Sequence, residues 1–229
     1  MGKIVSVVIP AYNEQDYLGA CLDALLAQSV SPCLYELIVV DNASTDGTAC
    51  LARRRGVRVV GEARKGYVHA LRRGIAASSG ELLAFTDADC RVPPDWIARL
   101  VADFGTASPQ VVAVGGRLAF YDLNPLLERA TRLILARAGS LPGGNMAVQR
   151  EALERMGGID PRVNLSLDYW ITLKLKQVGR IRIDPDLVVL TSARRFHGAF
   201  GSQLKYPVNV LSLQLLGRPL FFDFPDVRG

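Results

Sequence analysis

Apolar residues in the first half of the chain follow two rhythms in turn. Ile4-Val5-Ser6-Val7-Val8-Ile9 is a short run rich in β-branched side chains, stopped by Pro10, which predicts a buried strand. From Glu14 to Gln28 the apolar positions Leu18, Cys21, Leu22, Leu25 and Leu26 fall on one face of a helix. Leu37-Ile38-Val39-Val40 returns to the strand pattern and closes on Asp41. Asn42-Ala43-Ser44-Thr45-Asp46-Gly47 concentrates turn and cap formers, so a second helix is predicted from there to Arg55. Val57–Val60 and Glu81–Thr86 predict two further strands, with a helix over Tyr67–Ser78 between them.

Strand and helix alternating at this spacing predict right-handed βαβ units and a mostly parallel sheet covered on both faces. Ligands of such α/β sheets bind beyond the carboxyl ends of the strands. Each of those ends carries a polar cluster: Tyr12-Asn13-Glu14, then Asp41-Asn42, then Asp87-Ala88-Asp89. Three carboxylate-bearing strand ends predict one shared site. The second half is less regular. It predicts a helix over Trp96–Phe104, a strand over Val111–Phe120 interrupted at Gly115-Gly116, and a helix over Leu126–Ala138. A loop at Gly143-Gly144-Asn145, helices over Arg150–Met156 and Tyr169–Val178, and a strand over Leu187–Thr191 follow. Without an internal repeat or a Pro/Gly/Ser-rich linker, one domain is expected over residues 1–229.

Composition narrows the class. With 229 residues, 49% hydrophobic and 21% charged, the chain is too apolar for disorder. Its longest uncharged stretch, Phe104–Gly116, has 13 residues, short of the ~18 that a membrane-spanning helix needs. Lys3 leads at once into a strand pattern, unlike a signal peptide. The four cysteines form no C-x-x-C pair, so a reduced, cytoplasmic location is expected, with the inner face of the cell membrane as a second one. Between Lys174 and Arg218 eight basic residues stand against two acidic ones. That excess suits phosphates, an anionic membrane or a plain solvated surface; no nucleic-acid partner is expected.

Asp87-Ala88-Asp89 carries the sharpest chemical signal. Two carboxylates one small residue apart, where a buried strand stops, can reach a single point, as a hard divalent cation bound with phosphates requires. Neither G-x-x-x-x-G-K-[ST] nor a G-x-G-x-x-G after the first strand is present, which argues against P-loop NTPases and dinucleotide dehydrogenases.

Val5-Ser6-Val7-Val8-Ile9-Pro10-Ala11-Tyr12-Asn13-Glu14 resembles the opening of family 2 glycosyltransferases, a group with the GT-A fold. Ile38–Thr48, Phe85–Asp89, and Gly143-Gly144-Asn145-Met146-Ala147 with Gly157-Gly158-Ile159-Asp160 are similar to that family's later elements, in its order. The resemblance implies a GT-A fold with a nucleotide-binding half over about residues 1–115 and an acceptor-binding half over about 116–229. It implies an inverting, Mn2+- or Mg2+-dependent hexosyl transfer from a nucleotide sugar, UDP favoured over GDP, to an acceptor hydroxyl or lipid-linked phosphate in cell-envelope synthesis.

By the same resemblance, Pro10, Ala11, Tyr12 and Glu14 line the nucleotide, and Asp41 with Asn42 meets its base. Asp87, with Ala88, faces the ribose, Asp89 holds the metal, and Lys65 and Gly66 close over the donor. The Gly143-Gly144-Asn145 loop borders donor and acceptor. The family's Glu-Asp base pair is here Leu167-Asp168, so Asp168 is the candidate base, with an N-terminal helix cap as its structural alternative. His197 is a candidate further metal ligand, with a surface histidine in a basic loop as its structural alternative, and Arg194 and Arg195 suit the diphosphate. The uncharged, Leu-rich segment Tyr206–Gly217 suits either a membrane interface with a lipid-linked acceptor or packing against the core. Two other classes stay open. Leu167 in place of glutamate fits a catalytically silent nucleotide-sugar binder, and the basic C-terminal third fits a binder of anionic surfaces.

Overall fold

The structure, a computed structural model, describes residues 4–106, 110–126, 139–163, 166–194 and Ser212. The expected helix beyond residue 126, the side chains of Arg195 and His197, and the segment Tyr206–Gly217 apart from Ser212 lie outside the described residues. Among the described residues no helix is long and apolar enough to cross a membrane.

The chain alternates as β1 (Val5–Ala11), α1 (Leu18–Leu26), β2 (Tyr35–Asp41), α2 (Thr48–Arg54), β3 (Arg58–Gly61), α3 (Tyr67–Ala77) and β4 (Leu82–Phe85). It continues with α4 (Trp96–Thr106), β5 (Val111–Phe120), β6 (Met146–Gln149), α5 (Arg150–Arg155), α6 (Leu167–Val178) and β7 (Arg180–Thr191). The seven strands form one sheet in the order β3-β2-β1-β4-β6-β5-β7. β1 pairs in parallel with both β2 and β4, and β5 with β7; β6 alone runs against its neighbours β4 and β5.

The pleat of the central strands sorts side chains into two apolar layers. Val5, Val7 and Ile9 of β1 and Leu37 and Val39 of β2 pack with Leu18, Leu22 and Leu25 of α1 and Trp96 and Leu100 of α4. On the other face Val8, Ile38 and Val40 pack with Val68 and Leu71 of α3 and Ile171 and Leu175 of α6. Burial on both faces explains why these strands read as continuous apolar runs.

Three expectations are corrected. β5 runs on through Gly115-Gly116, although its pairing with β7 shifts register between Gly115 and Arg117. The glycines are there for close approach: a Cβ on Gly116 would lie 1.9 Å from the Leu187 carbonyl oxygen and 2.5 Å from Asn145 Nδ2. Met146–Gln149, expected to lie between a loop and a helix, is a strand that pairs antiparallel with β4 and with β5. β7 begins at Arg180 rather than Leu187, since its polar first half pairs with β5 at the outer edge of the sheet.

Candidate active site

The ends of β1, β2 and β4 meet at one edge of the sheet. After β1 the backbone of Asn13 takes a left-handed conformation (φ 51°) and donates to Ser44 Oγ, while Asn13 Oδ1 accepts from the Thr45 amide at 2.9 Å. Glu14 N donates to Thr48 Oγ1 at 2.7 Å, and Asp46 Oδ1 accepts from the Thr48 amide at 3.0 Å. Ala43, a residue with a Cβ, also sits left-handed (φ 60°), held where Asp41 Oδ1 accepts from the Ser44 amide. The loops after β1 and β2 thus fix one another, leaving Tyr12 and Asp41 half-buried at the rim.

Lys65 reaches the same rim. Its Nζ donates to Tyr12 Oη at 2.7 Å and lies 4.7 Å from the centre of that ring. Asn42, expected at the nucleotide, is buried with its side chain engaged on the β3–α3 connection. Nδ2 donates to the carbonyls of Glu62 (3.1 Å) and Arg64 (2.7 Å), and Oδ1 accepts from the Gly66 amide (2.8 Å).

Beyond β4 the Asp87-Ala88-Asp89 turn places two carboxylates and the Cys90 thiol together, one ligand atom of each within 4.8 Å of the others. Burial, reinforced by the charges of Asp87 and Asp89, pushes the Cys90 thiol up to about 12, so it stays protonated near neutrality. Asp87 and Asp89 present carboxylate oxygens beside the Cys90 sulfur, and oxygen donors of this kind fit a hard divalent cation. Asp87 Oδ1 accepts a hydrogen bond from Tyr67 Oη at 3.1 Å. Asp89, only 4% exposed, receives Arg194 Nη2 on Oδ2 at 3.0 Å and Thr191 Oγ1 on Oδ1 at 3.4 Å.

Arg194 also donates to Glu14 Oε1 at 2.6 Å, and its guanidinium lies 4.0 Å over the Tyr17 ring. Glu14 and Asp89 are both nearly inaccessible, and pairing them through one guanidinium offsets the cost of burying two carboxylates. The turn that delivers Arg194 is held by Asp122, whose Oδ1 accepts from the Ala193 amide at 2.6 Å.

The Gly143-Gly144-Asn145 segment closes the site from the β6 side. A Cβ on Gly144 would stand 3.3 Å from Asp87 Oδ2 and 3.1 Å from Cys90 Sγ, and one on Gly143 would stand 3.4 Å from Tyr67 Oη and 3.6 Å from Asp168 Cβ. Asp168 therefore borders the same glycine loop as Asp87. It lies in the first turn of α6, where its Oδ1 accepts from the Tyr169 amide at 2.8 Å. Leu167 points the other way, into the apolar layer around α3.

Asn145 is wholly buried and its amide spans three elements. Nδ2 donates to the carbonyls of Arg117 and Leu187, each at 2.9 Å, and Oδ1 accepts from Trp96 Nε1 at 2.8 Å. Asn145→Ala strands a buried indole N–H and two carbonyls, so it should cost about 2–4 kcal/mol. Thermal melts check this: a Tm lower by at least several degrees is expected, at about 2–4 °C per kcal/mol for a chain of this size.

The structure brings together Pro10, Ala11, Tyr12, Glu14, Asp41, Lys65, Gly66, Asp87, Ala88, Asp89, Gly143, Gly144, Asp168 and Arg194 at this edge or its rim. Tyr17, Tyr67 and Asp122 were not among the expected residues. Tyr67 carried a signal, because it directly follows Lys65-Gly66; Asp122 carried none, its partners being some 70 residues away.

The family model of glycosyl transferase family 2 matches residues 6–157. Glycosyltransferase AglE of Haloferax volcanii is 37% identical over 122 residues, which cover 51% of this chain and 40% of that protein. The mannosyltransferase PcManGT from Pyrobaculum calidifontis, solved in complex with GDP-Man and Mn2+, superposes with a TM-score of 0.74 at 27% identity. The match covers 92% of this chain and 64% of that one. Glucosyl-3-phosphoglycerate synthase from Mycobacterium tuberculosis, solved with Mn2+, UDP-Glc and phosphoglyceric acid, gives 0.66 at 25%, covering 95% and 81%. The chain thus spans well under two thirds of the first of these proteins. The seven-stranded mixed sheet with helices on both faces is the GT-A architecture of these structures. With the family model matching well over half of its length, the chain belongs to glycosyl transferase family 2.

Proposed function

We propose that this protein transfers one sugar, with inversion, from a nucleotide-sugar donor to an acceptor hydroxyl or phosphate, using a divalent cation. The observation that supports this reading best is the convergence of Asp87, Asp89, Arg194 and Asp168 around the Gly143-Gly144 loop. In this reading residues up to about 115 form the donor half and the remainder the acceptor half. Asp41 meets the base, Tyr12 and Lys65 flank it, and Asp87 takes the ribose. Asp89 holds Mn2+ or Mg2+, with His197 as a further ligand. Bound there, the cation stabilises negative charge on the departing diphosphate. Arg194 and Arg195 add forked donors for the same phosphates. Asp168, across the glycine loop, accepts the proton of the acceptor hydroxyl as that oxygen attacks the anomeric carbon from the face opposite the diphosphate.

UDP and GDP sugars are both carried as donors, since the two similar structures hold UDP-Glc and GDP-Man. Phosphoglyceric acid in one of them supports a small phosphorylated acceptor beside the lipid-linked phosphate. A second reading has a specific observation behind it. Leu167 is buried where the family's glutamate is expected, which favours a donor-binding protein without turnover.

Thermal stabilisation by UDP-, GDP- and dTDP-sugars, with Mn2+ or Mg2+ and then with EDTA, tests the proposal. At a hundred times Kd one nucleotide should add about 2.7 kcal/mol, roughly 5–10 °C in Tm, and EDTA should abolish the shift. No shift with any nucleotide overturns the reading, and a shift indifferent to EDTA removes the metal from it. Donor binding with no transfer to any acceptor favours the silent binder.

A further inference from the structure

Asn42 sits at the carboxyl end of β2 with its backbone N–H on the Ala11 carbonyl, so its position is fixed by the two strands that frame the site. From there its side chain places both amide hydrogens and its oxygen on a single five-residue segment, Glu62 to Gly66. Ala63, Arg64 and Lys65 of that segment are exposed. The Glu62 amide donates to the Asp41 carbonyl and the Glu62 carboxylate accepts from the Arg64 amide, and the Asn42 amide alone reaches from the β2 end to Glu62, Arg64 and Gly66 together.

What that segment carries gives this reach its meaning. At Gly66 the backbone takes φ 134°, a conformation that side-chain-bearing residues rarely adopt, and the Gly66 amide is the one Asn42 Oδ1 receives. This kink sends the residues on either side of it to different walls of the site. Lys65 Nζ reaches Tyr12 Oη at 2.7 Å on the β1 loop, and Tyr67 Oη reaches Asp87 Oδ1 at 3.1 Å beyond β4. Tyr67 also borders the Gly143 loop.

We infer that Asn42 is a positioning residue for donor binding: without touching the donor, it sets the Gly66 kink that holds Lys65 and Tyr67 on opposite walls of the nucleotide site. The inference rests on the nucleotide-sugar reading of that site. It separates the paired strand-end residues by role, with Asp41 facing the ligand and Asn42 facing the loop that covers it.

Calorimetric titration with UDP and with GDP, each with Mn2+, tests this on wild-type protein and on Asn42→Ala, Lys65→Met, Tyr67→Phe and the Asn42→Ala/Lys65→Met double variant. Donor KM is measured alongside. Asn42→Ala should raise the nucleotide Kd about tenfold, with KM rising in step, and the double variant should bind no worse than about twofold below the weaker single. Asn42→Asp, isosteric but unable to donate to the Glu62 and Arg64 carbonyls, should not rescue binding. If Asn42→Ala does not fold, Gly66→Ala distorts the same kink and should give the same loss. A lower Tm with unchanged Kd, or losses from Asn42 and Lys65 that simply add, overturns the positioning role. Wild-type protein that binds neither nucleotide removes the donor reading and this inference together. Wild-type binding that the variants share removes this inference alone.

Discussion

Asp89→Ala is expected to lower turnover by about a thousandfold and to abolish the metal-dependent part of nucleotide binding. The magnitude follows from the several kcal/mol that a Lewis-acidic cation contributes to a departing diphosphate, at about 1.4 kcal/mol for each factor of ten. The fold should survive the change. Asp89 is buried, but Arg194 keeps Glu14 at 2.6 Å and stacks on Tyr17, so truncation leaves no unpaired buried cation. The check is a pair of measurements on one sample: initial rates under saturating donor, and the Tm shift by nucleotide with Mn2+ and with EDTA. A variant that keeps a full EDTA-sensitive shift would remove Asp89 from the metal site.

Asp168→Asn should separate chemistry from binding. The amide keeps an oxygen to accept the Tyr169 N–H, the contact Asp168 makes at 2.8 Å, so the first turn of α6 is preserved. It cannot take a proton from an acceptor hydroxyl, and loss of a general base costs about 10²–10⁴ in kcat. Donor affinity should stay within about twofold, because Asp168 borders the Gly143 side of the loop while Asp87 borders Gly144. The acid limb of the kcat/KM profile should flatten as well, since that limb reports protonation of the base. Equal loss of binding and turnover would assign Asp168 to donor binding instead.

The parallel half of the fold was legible because burial on both faces forces β1, β2 and β4 to be written as apolar runs, and each run ends where its ligand-facing residues begin. β6 was not legible. Met146-Ala147-Val148-Gln149 has little β-branched character, leads straight into α5, and becomes a strand through pairing with β4 and β5. In the site, the aspartates could be placed because the topology fixes strand ends. Arg194 could be read as a cation but not as the partner of Glu14, 180 residues away in sequence. Asn42 and Asn145 were visible as members of motifs, yet their use as internal fasteners depends on carbonyls contributed by distant segments.

The reversed direction of β6 carries a further consequence. Running against its neighbours, it starts at the edge that holds Asp87 and ends at the opposite one, where Arg150 Nε and Nη2 bind the Gly80 carbonyl and Ser78 Oγ, each at 2.8 Å. One strand of four residues thereby ties a chemical pole to a mechanical pole. Saturation mutagenesis read out by both cellular abundance and product formation should divide along it. Lesions near Arg150 or at the buried Asn145 would deplete the protein itself, whereas lesions at Gly143 and Gly144, which face the site, would leave it abundant and idle.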